Sequence, residues 1–386
     1  MRFKTKGVRS QESGVRIKPA IAALMLATGA FLMAAEIHSV QPSELTVHEW
    51  GTFTSVAGQD GSAIDWDVLG GKDDLPGFVN AFGYRCFKWR LTGTVRMETP
   101  VLYFYSQREV TARVKVQFPR GLITEWYPNG DRLTSAIGWS DIKVQPGSTA
   151  DFPVEKSPSR YYAARGTDAA PITVGGQHEK FLFYRGVGRF AVPLSARISG
   201  DGKIVVENSG SDAVPSVMLF ENRGGRLGYR NAGAVRGSVT LDAPSLDGSL
   251  SQLRYDLENA LVAQGLFPKE AQAMVETWRD SWFEEGSRLI YVIPAPAVDA
   301  ILPLQVEPAP SQTARVFVGR IELITSQTTS AVKEAIVKSD WSAVDRYGRF
   351  LDPILKRIAS ENPLMGKQIE QCRQRVQSSI GARACR

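Results

Sequence analysis

From Val110 to Phe118 the apolar residues at 110, 112, 114, 116 and 118 alternate with Thr, Arg, Lys and Gln. That period of two is the pattern of a sheet strand with one wet face. Short β-branched or aromatic runs bounded by Gly, Pro, Asn and Asp recur at Val101–Tyr105, Leu122–Tyr127, Phe181–Tyr184, Lys203–Glu207 and Val214–Phe220, and each reads as a strand. Pro119-Arg-Gly121 is expected to fold the first run back onto Leu122–Tyr127 as a hairpin, and Asn129-Gly130 marks a second turn. Strands spaced this way without intervening helices predict a mainly β fold, an antiparallel β-sandwich.

At Ser249 the period changes. Leu253, Leu257, Ala260 and Leu261 form a helical stripe that Gly265 ends, and Pro268 opens a second helix carrying Ala271, Met274, Val275, Trp278 and Trp282. Trp278 and Trp282, at i and i+4, are expected to be core anchors rather than a sugar platform. Strand-like runs resume at Arg288–Ile293 and Ala314–Leu323 across a Pro-rich crossing, and from Ser330 the chain reads as helix again, with stripes at Val332, Ile336, Val337 and at Ile354, Leu355, Ile358. The expected organisation is therefore a leader over 1–35, a β-rich domain over 36–325 with a helical insertion at 249–285, and a helical tail over 330–386. The length of the β-rich part allows two sandwiches, with a boundary near 200.

The leader changes the meaning of the charge. Arg2, Lys4, Lys6, Arg9, Arg16 and Lys18 stand against Glu12 ahead of an uncharged apolar run from Pro19 to Ala35, the pattern of a signal peptide. Cleavage is the expected fate, giving a periplasmic or secreted protein, with a retained membrane anchor as the alternative because no clean small-x-small site ends the run. The formal net charge of +6 falls to about +1 once the leader is removed, and no Lys/Arg run with interleaved aromatics follows, so nucleic acid is not an expected partner. An oxidising compartment suits the three cysteines: a Cys372–Cys385 disulfide is expected in the tail, which leaves Cys86 as a buried small hydrophobe or a free thiol.

Candidate chemistry is sparse. His48 and Glu49 are adjacent, which in a strand sends them to opposite faces, and the second histidine of a His-Glu-x-x-His zinc helix is replaced by Thr52. Asp60, Asp65, Asp67, Asp73 and Asp74 crowd a Gly-rich stretch, but a calcium loop fails at Leu69 and Pro76. No cofactor is expected; calcium at Asp60, Asp65 and Asp67, or zinc at a mixed site of His38, His48 or His178 with carboxylates, is the alternative. No Gly-x-Ser-x-Gly elbow and no nucleotide fingerprint occurs. Carboxylates beside aromatics are the remaining enzymatic signal, at Glu98, at Glu125 beside Trp126 and Tyr127, and between Trp278 and Glu285.

The strings Val47-His-Glu-Trp-Gly-Thr-Phe-Thr-Ser-Val, Met97-Glu-Thr-Pro-Val-Leu-Tyr-Phe-Tyr105, Gly121-Leu-Ile-Thr-Glu-Trp-Tyr-Pro128 and Lys180-Phe-Leu-Phe-Tyr-Arg-Gly186 resemble a family of exported bacterial proteins of uncharacterised function. The resemblance runs from about residue 45 to about 325. It implies an exported, sheet-rich protein and transfers no catalytic residue. Two functions follow as expectations. One is a non-catalytic binding or structural protein holding an extracellular polymer or a cell-surface protein. The other is an extracellular hydrolase of polysaccharide or peptide, with acid and base drawn from Glu49, Glu98 and Glu125 and assisted by His48.

Overall fold

In the computed structural model, residues 44–70, 74–82 and 91–384 are described, with side chains to 375. The leader, His38, Cys86 and Cys385 lie outside them. Residues Ser43–Arg386 form one unit.

The strand Thr46–Val56 is buried over ten of its eleven residues, and it sits in the middle of a nine-stranded sheet. It pairs antiparallel with Val95–Tyr105 and parallel with Gln312–Leu323, His48 lying opposite Tyr103 on one side and Ala314 on the other. That parallel pair is the departure from a purely antiparallel sandwich. Leu182–Gly188 and Gly121–Tyr127 extend the sheet one way, and Gly286–Ile293, Val214–Arg223 and Arg226–Val235 extend it the other. Strands from before and after residue 200 thus share one sheet, so the chain does not divide there into two sandwiches. A strand covered on both faces has no reason to alternate, and Gly286–Ile293 and Gln312–Leu323 are accordingly buried almost throughout.

One face of the large sheet packs on a six-stranded and a three-stranded sheet, with Phe53, Met97, Leu102, Tyr184, Leu289 and Phe317 facing Val114, Trp139, Ile142, Ala196 and Val206. The other face is covered by helices. The hairpin Leu250–Val262 and Pro268–Trp282 buries Leu257, Met274, Trp278 and Trp282 against Trp50, Val101, Tyr103 and Val318. Helices Ser326–Val337 and Leu351–Glu361 bury Val332, Ile354, Leu355 and Ile358 against Val56, Trp66 and Val187. The helical insertion and tail are where the apolar stripes place them, although Val337 is exposed.

The expected hairpin between 110–118 and 122–127 is not made. Val110–Gln117 pairs with Ala136–Val144 in the six-stranded sheet, whereas Gly121–Tyr127 joins the nine-stranded one. The difference lies in burial: the first run keeps a wet face, while the second is mostly buried and fits only a sheet covered on both sides. The Pro-rich crossing holds the short helix Ala295–Ile301 and the strand Leu304–Glu307, which pairs with Val110–Gln117.

Cys372 is buried on the helix Gly366–Ala384. Along an unbroken helix positions 372 and 384 are separated by about 18 Å, so the expected bridge to Cys385 requires the last turns of that helix to open.

Trp282 is fully buried and stacks on Trp278 with ring centroids 6.3 Å apart. Trp282→Ala should cost about 3–5 kcal/mol, read as a lowered midpoint in urea denaturation.

Candidate functional site

The helix-covered face of the large sheet is interrupted by a band of charge. Apolar contacts lie on either side of it, those under the hairpin and those under the tail. Within the band stand Arg288, then Arg320 and Glu322, then Thr52 and Thr54, then Arg96 and Glu98, then Arg185, on five successive strands. The elements above supply Ser281 and Glu284 from the end of the second hairpin helix, Arg349 from the turn Gly348–Phe350, Asp74, and Arg160 from the short helix Arg160–Arg165.

The hydrogen bonds are dense. Arg349 Nη1 donates to both oxygens of Glu98 at 2.6 and 2.7 Å, and its Nη2 donates to Ser281 Oγ. Arg185 grips Asp74 with both terminal nitrogens at 2.8 and 2.9 Å and also donates to Thr99 Oγ1. Arg320 donates to Glu284 and Ser281, and Arg288 donates to Glu322 and to the carbonyls of Trp282, Glu284 and Glu285. Gly286, at φ +122°, leaves room for that pair: a Cβ there would fall 2.5 Å from Glu322 Oε1.

Two irregularities place these groups. The register slips between Trp50 and Thr52 against the Val95–Tyr105 strand, and slips again between Phe183 and Gly186. The extra residue is absorbed around Thr99, a buried β-branched residue held at φ +48°. Left-handed backbone at such a residue costs about 1–3 kcal/mol, and bulges redirect neighbouring side chains. Here the bulge sets Glu98 and Thr99 toward Arg349 and Arg185.

Burial would push the Glu98 carboxyl upward, but Arg349, Arg96 and Arg320 reverse this and hold it at about 2. Asp74 is likewise held well below the carboxylate range, Arg185 outweighing its burial. Burial, followed by repulsion from Arg288, lowers Arg320 to about 10 even though Glu284 opposes this.

The four acid–base candidates are not brought together. His48 Nδ1 lies 2.8 Å from Glu270 Oε2, while Glu270 also accepts from Tyr105 OH at 2.8 Å and Phe267 N at 2.7 Å. Glu49 points to the opposite face, where Arg315 donates to it at 2.7 Å and Tyr184 OH also bonds to it. Glu98 belongs to Arg349. Glu125 accepts from Thr124 Oγ1 and stands opposite Arg185 in register. The two best-formed cavities, of about 220 and 210 Å³, lie elsewhere: one at Ala57–Gln59 and Arg357, the other at Tyr105, Asp168 and Pro171. Glu98, held as an anion by Arg349, has no proton to give, and the four candidates do not share one site.

The aspartates also separate. Asp60 bonds Ser62, Asp65 pairs with Arg189 at 3.1 Å, and Asp67 caps the turn to Gly70 through its carbonyl. Among the described residues no group of three His, Cys, Asp or Glu side chains gathers. Asp73 lies outside them.

Sequence reasoning missed Arg185, Arg288, Arg320, Arg349, Ser281 and Glu270. A signal existed for three of them: Arg185, Arg288 and Arg320 sit inside apolar strand runs that have no wet face, where a charge has to find a buried partner.

No family model and no curated protein matches the chain. Among solved structures it is similar to the yeast delta-COP-I mu-homology domain, alone and complexed with the Dsl1 WxWxV peptide. Each match has 10% identity and a TM-score of 0.29, over 72% of this chain and 95–96% of that one. A likeness that weak carries no argument.

Glu98→Gln should destabilise the fold by about 3 kcal/mol, because buried Arg349 loses its closest counter-ion and keeps only Glu284 at 3.9 Å, and adding Arg349→Met should recover part of the loss; a double-mutant cycle in urea measures both. Since the folded Glu98 value lies below the ordinary 4.5, its ionised form stabilises the protein above about pH 4.5. That contribution, about 3 kcal/mol, should disappear as the pH falls from 4.5 through 2, with unfolding midpoints at pH 6, 4 and 3 as the readout.

Proposed function

We propose that this is an exported, non-catalytic binding or structural protein, acting in the periplasm or at the cell surface on an extracellular polymer or a surface protein. The observation that carries the reading is that Glu49 and Glu98 are buried and bound to arginines, while none of His48, Glu49, Glu98 and Glu125 lines either cavity. General acid–base work needs a carboxyl that can take and release a proton beside an open site. These acids serve instead as counter-ions. Export rests on the basic leader and the apolar run behind it.

The full-length chain incubated with polysaccharide and peptide substrates should release no product. Turnover that falls tenfold or more in Glu98→Gln or Glu125→Gln overturns the reading. Mass spectrometry of cell fractions should find the chain outside the cytoplasm, and retention inside the cytoplasm removes the export part.

A further inference from the structure

The larger of the two cavities, about 220 Å³, opens where the packed sheets meet the helical tail. Ala57 and Gln59 stand in the turn after Thr46–Val56, Ala196 and Ile198 on the strand Leu194–Ile198, Leu323 and Ile324 where Gln312–Leu323 ends, and Arg357 on the helix Leu351–Glu361. The turn is fixed by its own backbone: Ala57 N donates to Glu322 O at 2.9 Å and Gly58 N to Ser62 O at 2.7 Å. The volume is far above the roughly 10–15 Å³ that admits one water and below the roughly 300–1,000 Å³ of drug-sized sites, so its occupant is small.

Walls and rim differ in chemistry. Ala57, Ala196, Ile198, Leu323 and Ile324 contribute aliphatic side chains, and Arg357 is the one charged side chain among the described residues that line the cavity. Arg357, 28% exposed, divides its donors: Nε bonds Glu361, while Nη1 and Nη2 both meet the amide oxygen of Gln59 at 2.7 Å. Gln59 is exposed and neutral. A guanidinium fork matches a carboxylate, and an ionised acceptor bonds it about twice as strongly as a neutral one. Gln59 thus occupies the place of an anion's oxygens and can leave it for solvent.

The local charge accommodates one more anion. Lys333 lies 3.9 Å from the Glu361 carboxylate that Arg357 also holds, so two cations share one acid. Asp60, the acid of the turn, does not line the cavity and accepts from Ser62 Oγ with both oxygens, at 2.7 and 2.8 Å.

We propose that this cavity binds a compact aliphatic carboxylate, its oxygens on the two terminal nitrogens of Arg357 in place of Gln59 and its hydrocarbon against Ile198, Leu323 and Ile324. A free short-chain acid and the last residue of a peptide share that chemistry. The site is separate from His48, Glu49, Glu98 and Glu125, and so goes beyond the non-catalytic reading without depending on it.

Ligand-observed NMR titration of the full-length chain at neutral pH tests the site, with isocaproate, isocaproamide and an N-acetylated tripeptide ending in leucine. Saturable binding is expected for isocaproate, and at least tenfold weaker binding for the amide, which keeps the shape and loses the charge. Arg357→Met should weaken isocaproate at least tenfold. Gln59→Ala, which removes the competing acceptor, should tighten it several-fold, and Arg346→Met, exposed on the tail away from the cavity lining, should leave it unchanged. Tighter binding of isocaproate than of the peptide assigns the site to free acids, and the reverse assigns it to chain ends. No saturation by either carboxylate, an amide that binds as tightly as the acid, or equal binding in a folded Arg357→Met overturns the site. The amide comparison uses the unaltered chain, so it decides the question even if Arg357→Met fails to fold.

Discussion

Guanidinium–carboxylate pairing under two layers of helices is the interaction on which the rest of this structure depends. Arg185, Arg288, Arg320 and Arg349 are each at most 11% exposed in their side chains. Desolvating a charge costs several kcal/mol per ion, and attraction repays it only when geometry and hydrogen bonds are nearly complete. The pairs therefore act less as glue than as a condition. The hairpin must bring Ser281 and Glu284, and the tail must bring Arg349, or charges on the sheet are stranded.

That condition ties together elements distant in sequence. Glu98 and Arg349 are 251 residues apart, and Arg320 reaches both Ser281 and Glu284. Apolar packing alone would let the hairpin and the tail slide over the sheet, since Trp, Leu and Ile contacts are not directional. Fork-shaped hydrogen bonds are directional, so the band sets the position of the two helical layers while the clusters on either side supply the area. The bulge at Thr99 belongs to the same arrangement, its strained backbone held by the partners it presents.

Much of the architecture was legible in the sequence. The alternation from Val110 to Phe118 marked a strand with one wet face, and Gly265 and Pro268 marked the break between the hairpin helices. The sheet to which each strand belongs was not legible, because turn residues at 119–121 permit a crossing between sheets as readily as a hairpin. The opposite orientation of His48 and Glu49 followed from strand geometry. The partners of those residues did not: Glu270, 222 positions from His48, and Arg315, 266 from Glu49, are joined to them only by folding. Adjacent acids and aromatics suggested chemistry, but the arginines that silence the acids stood elsewhere in the chain.

The parallel pairing of Thr46–Val56 with Gln312–Leu323 has a consequence for how the protein is made. The central strand of the sheet is made well before Gln312–Leu323, so one of its two edges waits for a partner some 266 residues behind it. At ordinary elongation rates that delay is on the order of tens of seconds. For that interval a long strand, buried in the finished fold, offers bare amides and carbonyls to any extended segment nearby. That edge is closed to other segments only once Gln312–Leu323 has been made and paired with it.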